Sequence, residues 1–131
     1  MKTIKNTLCT MMLLLLAPLT MAADVPDFVL KTFPEHAISA RMDADNILMG
    51  KDAKLAAKTR ELIMLGVSAQ IPCEFCVYAH SRFAKANGAT EAEIKEALAA
   101  AAYVRHWSTI LNGMEYDVDL FKAEVDKFLS K

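Results

Sequence analysis

Two breaks in an otherwise helix-forming stretch fix what this chain can fold into: Gln70-Ile71-Pro72 and Asn87-Gly88. Around them the residues favour helix, and no alternation of apolar and polar residues reaches a strand pattern. Proline suits the first position of a helix, and glycine supplies the left-handed residue that follows one. The spacing therefore predicts one helix ending near Ala69, a second from Cys73 to about Ala86, and a third after Thr90. Thr90-Glu91-Ala92-Glu93 reads as a capping box, with Glu93 reaching back to the Thr90 end. Helices joined by such short breaks fold back on one another. The expected fold class is all-α, one compact helical unit.

The flanking segments are read the same way. Asp24 to Phe33 is expected to be extended, punctuated by Pro26 and Pro34. From Glu35 the residues Ile38, Met42, Ile47 and Leu48 give an approximate helical stripe that ends near Gly50. The next helix is expected from Asp52, as its cap, to about Ala69. Leu55, Leu62, Leu65 and Val67 are its apolar positions, and Lys54, Lys58 and Arg60 its solvated side. After Thr90, Ile94, Leu98, Ala101 and Ala102 share a face, and the helix runs at least to Tyr103. His106 to Leu111 either extends it or starts another, and Asn112-Gly113 marks a stop. Asp117 or Asp119 is the expected cap of a last helix through Phe121, Val125, Phe128 and Leu129. Ala97 and Ala99 to Ala102 make a slender helix, by plain propensity or for close helix–helix approach.

The first residues read as a secretory signal peptide, residues 1–23. Lys2 and Lys5 make a positive start, Leu8 to Leu19 is apolar, and Met21-Ala22-Ala23 offers small residues for cleavage. The apolar run falls short of the roughly 20 residues of a comfortable span. No stable membrane span is expected after processing; an uncleaved anchor is the alternative. Cys9 lies inside the run rather than at a cleavage point, which argues against lipid modification. The remaining chain, residues 24–131, is read as a single domain, periplasmic or secreted. It keeps 13 Lys and Arg against 16 Asp and Glu. With no basic stripe, nucleic acid is not an expected partner.

Only Cys73 and Cys76 survive processing, and they meet an oxidising compartment. Two cysteines three apart staple little, because the ring they close is very small; the chain-entropy model gives roughly 2 kcal/mol. Redox work explains the pair better. Cys73, Cys76 and His80 stand at i, i+3 and i+7, on one helix face. A thiolate near the start of a helix is favoured by unpaired backbone N–H groups and the helix dipole. His80 is one turn beyond Cys76 and can exchange a proton with it. In an antiparallel hairpin about Ile71, Glu61 lies ten residues before the turn and His80 nine after it, at nearly one height. A carboxylate facing the imidazole would fix its tautomer and raise its basicity. The expected site is Glu61, Cys73, Cys76 and His80. A zinc site is a rival that would need all four side chains as ligands. His36 and His106 have no matching partners, and Arg105-His106-Trp107 reads as core edge with solvated charge, the lining of a pocket or an interface being the alternative.

These residues resemble the alkylhydroperoxidase D-like (AhpD-like) branch of the carboxymuconolactone decarboxylase family. The resemblance rests on Lys58-Thr59-Arg60-Glu61-Leu62-Ile63, Cys73-Glu74-Phe75-Cys76-Val77-Tyr78-Ala79-His80, and Asn87-Gly88-Ala89-Thr90-Glu91-Ala92-Glu93-Ile94. It covers roughly Ala53 to Tyr103. Family decarboxylases that act on the lactone typically lack the CxxC. The resemblance implies an AhpD-like helical bundle, with the CxxC at the N-terminus of a central helix, assembled as a homotrimer or homohexamer. It implies a thiol–disulfide oxidoreductase with peroxidase-type activity, in which Glu61, Cys73, Cys76 and His80 match the relay positions. The substrate would be a peroxide or a disulfide. No resident cofactor is implied beyond the redox-active cysteine pair; an external dithiol or protein donor supplies electrons. One position departs from the pattern, because Phe75 stands where the type protein has a second histidine. The expected export departs too, since the usual lipoyl and peroxiredoxin partners are cytosolic.

Cys76 is taken as the attacking thiolate because His80 is one turn away, with Cys73 resolving to a Cys73–Cys76 disulfide. The opposite assignment stays open, since Cys73 lies nearer the helix start. A catalytically quiet helical oligomer acting as a binding or structural protein is the alternative function.

Overall fold

The computed structural model describes residues 25–131; the expected signal peptide, residues 1–23, and Cys9 within it lie outside the described residues. Among the described residues there are six α-helices and no strand. The helices are α1 (Asp27–Thr32), α2 (Ile38–Met49), α3 (Ala57–Gln70), α4 (Glu74–Ala86), α5 (Glu91–Gly113) and α6 (Val118–Leu129), with a 3-10 turn at Glu35–Ala37. None of these helices is long and apolar enough to cross a membrane. Among the described residues the chain divides into two compact units, residues 25–43 and 44–131.

In the first unit, α1 replaces the extended segment expected at residues 24–33. The Pro26 carbonyl accepts from the Val29 and Leu30 amides at 2.9 and 3.3 Å, and Asp27 pairs with Lys31 one turn on at 3.1 Å. The Thr32 hydroxyl donates to the Phe28 carbonyl at 2.6 Å. Local pairs at i, i+4 spacing thus carry a turn and a half of helix that apolar periodicity does not reveal. Phe33 ends it with extended backbone, as expected of a residue before proline.

In the second unit, α3 begins at Ala57 rather than at the expected Asp52. Arg60 is the reason. Its guanidinium reaches back, donating to the Leu55 carbonyl and, at 2.8 Å, to the Met49 carbonyl. One side chain thereby fixes residues 50–55 as a turn and occupies a carbonyl at the end of α2. Gly50 is needed there, because a Cβ would overlap the Asn46 carbonyl oxygen.

Helix α3 packs against both α4 and α5. Leu65 of α3, Ala84 of α4 and Ile94 of α5 are buried, one from each helix. Burying a leucine fully stabilises a fold by about 1.5–3 kcal/mol. The alanines of α5 serve close approach within the chain. A Cβ on the buried Gly66 would meet the Ala101 Cβ at 3.4 Å and the Ala97 carbonyl at 3.9 Å. Just beyond, the Gln70 amide donates to the Ala101 carbonyl at 2.7 Å, and Arg105 Nε donates to Gln70 Oε1 at 2.8 Å. Arg105 therefore ties the end of α3 to α5.

The expected punctuation holds between α4 and α5. Gly88 has φ +85°, the left-handed value that favours glycine. Thr90 caps α5: the Glu93 amide donates to its hydroxyl at 3.1 Å, and its own amide donates to Glu93 Oε2 at 2.8 Å. Lys58 adds an ion pair to the other Glu93 oxygen at 2.7 Å, joining the starts of α3 and α5. Helix α5 is continuous through His106 and stops at Gly113. Asp117, not Asp119, caps α6 by accepting from the Leu120 amide at 2.7 Å.

Lys58 and the Thr90 N–H and hydroxyl hold the Glu93 carboxyl down at about 2, against an ordinary 4.5. A depressed carboxyl contributes stability above its unfolded pKa, and that contribution is lost as pH falls through the folded value. Unfolding midpoints should therefore drop between about pH 4.5 and 2, and Glu93→Gln should flatten that slope. Thr90→Ala should cost about 1 kcal/mol in urea unfolding near neutral pH.

Candidate active site

The site is built on the α3–α4 hairpin. On α3, Glu61, Leu65 and Ser68 recur at i, i+4 and i+7 and all three are buried. That face is turned to α4. Glu61 Oε2 lies 2.8 Å from Nδ1 of His80, and the Ser68 carbonyl accepts from the Cys73 amide at 3.1 Å. The Ser68 hydroxyl donates to the Met64 carbonyl at 2.6 Å, so this buried side chain is satisfied within its own helix.

Glu61 is only 5% exposed, and a carboxylate at such depth requires a donor. His80 supplies it. An ionised carboxylate only accepts, so the hydrogen lies on Nδ1, and in the neutral ring Nε2 keeps its lone pair. The Phe83 ring meets the imidazole edge-on, with centroids 6.4 Å apart. The pair is thus fixed in orientation, with His80 half-buried and its partner fully buried. The heights counted along the hairpin do bring Glu61 opposite His80.

Cys73 and Cys76 form a disulfide with their Cα atoms 5.3 Å apart. The helix does not start at Pro72 or include Cys73. Cys73 is the cap of α4, with extended backbone, and the first helical residue is Glu74. Its Sγ accepts a hydrogen bond from the Cys76 amide at 3.2 Å, as a serine or aspartate oxygen does at ordinary caps. Its amide goes to Ser68, and its carbonyl accepts from Val77 at 2.9 Å. All the polar groups of Cys73 are therefore held. Residue spacing showed a thiol near the helix start; it did not show that the sulfur itself is the cap. The cue lay in Cys73 occupying the place of a capping residue, with Glu74 opening the first turn.

Phe75, between the two cysteines, is 89% exposed, so the turn that carries the disulfide lies open to solvent. His80 follows Cys76 by four residues, one helical turn of about 5.4 Å. His36 sits exposed in the 3-10 turn, and His106 meets the ring of Trp107 at 5.3 Å; neither joins the site. Among the described residues no group of three or more His, Cys, Asp or Glu side chains is placed to hold a metal ion.

The arrangement places a disulfide at a helix start and, one turn on, an imidazole paired with a buried carboxylate. No curated protein matches the chain. A family model described as the carboxymuconolactone decarboxylase family matches residues 36–118.

The tautomer is directly observable. Long-range nitrogen–proton correlation spectra should show neutral His80 protonated at Nδ1. Glu61→Ala should return the ring to the ordinary Nε2–H form. An unchanged ring would mean that Glu61 does not orient it.

Proposed function

The chain belongs to the carboxymuconolactone decarboxylase family, and from that premise we propose that it is an exported, AhpD-like thiol–disulfide oxidoreductase with peroxidase-type antioxidant activity. The observation that carries this reading is the Glu61–His80 pair at 2.8 Å, in which His80 stands on the helix whose start holds the Cys73–Cys76 disulfide. An ordinary structural disulfide has no need of an oriented imidazole one turn away.

In the reduced form, Cys76 attacks one oxygen of a peroxide. The O–O bond breaks, Cys76 becomes a sulfenic acid, and the alcohol or water leaves with a proton delivered by His80. The Cys73 thiolate then attacks the sulfenic sulfur. The S–O bond breaks, a second proton releases water, and the disulfide seen in the structure forms. An external dithiol or protein donor returns two electrons and two protons. Glu61 keeps the imidazole in the tautomer that cycles the proton. No resident cofactor takes part.

Self-association, as a homotrimer or homohexamer, belongs to the same reading. Among the described residues, the buried hydrophobic side chains are Leu65, Ala84 and Ile94, while Phe121, Val125, Phe128 and Leu129 of α6 are exposed. Leu62, Ile63, Gly66 and Val67 of α3 also line an open groove of about 510 Å³ against the α5 alanines. An apolar surface of this kind supports burial against further copies.

Peroxide consumption with dithiothreitol as donor tests the activity. The protein should turn over peroxide, and a Cys73→Ser, Cys76→Ser double variant should not. His80→Asn should lower the rate by about 10²-fold, the usual worth of a positioned acid–base group. A double variant as active as the parent would end this reading.

A further inference from the structure

We infer that the cleft between α5 and α6 is a binding site for a protonated organic amine, whose ammonium group meets Glu124 while its apolar body lies against Trp107 and Phe121. The cleft shares no residue with the Glu61–His80 pair or the disulfide, and it stands independently of the thiol chemistry proposed above. It also lies partly outside the family match. That match ends at residue 118, whereas Phe121 and Glu124, which form the α6 side of the cleft, come after it.

The residue order builds the walls. On α5, Tyr103, Trp107 and Leu111 recur every four residues, so one stripe of the helix lines the opening. On α6, Phe121 and Glu124 stand three apart and line it from the other side. The connecting turn is fixed by its backbone. The Met114 amide donates to the Ile110 carbonyl at 2.9 Å, and the Tyr116 amide to the Leu111 carbonyl at 3.0 Å. Tyr116 then reaches α6, its hydroxyl donating to Glu124 Oε2 at 3.0 Å. The space so enclosed is about 680 Å³, within the roughly 300–1,000 Å³ of small-molecule sites. Trp107 and Phe121 remain 44% and 41% exposed, so a ligand enters directly from solvent.

The lining selects the ligand. Glu124 is its one charged residue, and its partner is the Tyr116 phenol rather than a cation, so the negative charge is not neutralised. The same hydrogen bond raises the Tyr116 phenol above its ordinary value and keeps it a neutral donor. The second carboxylate oxygen retains lone pairs for a further donor. An anion would be repelled here, and a neutral apolar ligand would desolvate the carboxylate without compensation. A protonated amine is matched twice. Its N–H groups make charge-assisted bonds to the carboxylate, and aromatic faces attract a cation. Tyr103, Trp107, Tyr116 and Phe121 supply four rings, with Tyr103 and Trp107 edge to face at 6.1 Å. Of the exposed apolar residues of α6, Val125, Phe128 and Leu129 do not line the cleft and remain for contacts between copies.

Trp107 is the chain's single tryptophan, so its emission reports on this cleft alone. The protein is titrated near neutral pH with octylammonium chloride below its micelle-forming range, and with octyl sulfate as an anion of equal chain length. Octylammonium should shift the emission saturably, and octyl sulfate should not. Glu124→Gln should weaken octylammonium binding by about tenfold, the usual worth of a hydrogen bond to a charged group. Asp126→Asn removes the same charge from the same helix outside the cleft and should bind as the parent does. Val104→Lys, at an exposed position of the α5 wall, brings a rival cation into the cleft and should abolish binding with Glu124 intact. Equal binding of the two probes, equal loss in Glu124→Gln and Asp126→Asn, or unchanged binding in Val104→Lys would overturn the proposal. Emission that follows protein concentration and ignores the amine would assign the cleft to a second copy, and would overturn it too.

Discussion

A buried carboxylate organises the α3–α4 hairpin. Glu61 sits on the same face as the fully buried Leu65 and is itself buried from solvent there. Its charge is tolerated only because His80 comes across from α4 to meet it. Removing either partner would strand a polar group at depth, which is far costlier than losing an exposed pair. The pairing also fixes the register of the two helices. With Glu61 opposite His80, the Ser68 carbonyl falls beside the Cys73 amide. The sulfur pair is thus placed by the same contact that orients the imidazole. Packing and chemistry share one face of α3.

The rest of the second unit braces that hairpin from behind. Gly66 lets α5 approach closely, with Ala97 and Ala101 filling the space a larger pair would need. Gln70 and Arg105 then fasten the last turn of α3 just before the chain turns to Cys73. Lys58 and Glu93 do the same at the opposite end, where the starts of α3 and α5 meet. The exposed pairs contribute little singly. Placed at the two ends of α3, they limit how far it can slide along α5.

How much of this was legible depended on the range of the interaction. Thr90 with Glu93, Asn87-Gly88 and the Asp117 cap are local and stand in the residue order. The heights of Glu61 and His80 follow from counting along two helices about one turn. The start of α3 was not legible, because it is set by Arg60 reaching back to carbonyls of Leu55 and Met49. Asp52 looked like a cap only while that reach was unknown. Helix α1 was hidden by its prolines, which read as breaks although Pro26 begins the helix and Pro34 ends it. The last nine residues of α5, Arg105 to Gly113, were ambiguous because residue order alone does not decide whether His106 to Leu111 extends the helix or starts another. Which family the residues belong to was legible in the motifs, and the match over residues 36–118 bears that out at the level of the family.

A capping sulfur has a thermodynamic corollary. In an ordinary helix the cap is an oxygen whose charge is constant near neutral pH. In α4 the cap is Cys73 Sγ, whose charge depends on oxidation state. Under the proposed thiol chemistry, electron occupancy of the sulfur pair and the free energy of the first turn of α4 would be linked functions. Whatever frays that turn would then shift the balance between disulfide and dithiol, and the balance would in return set how firmly the turn is capped.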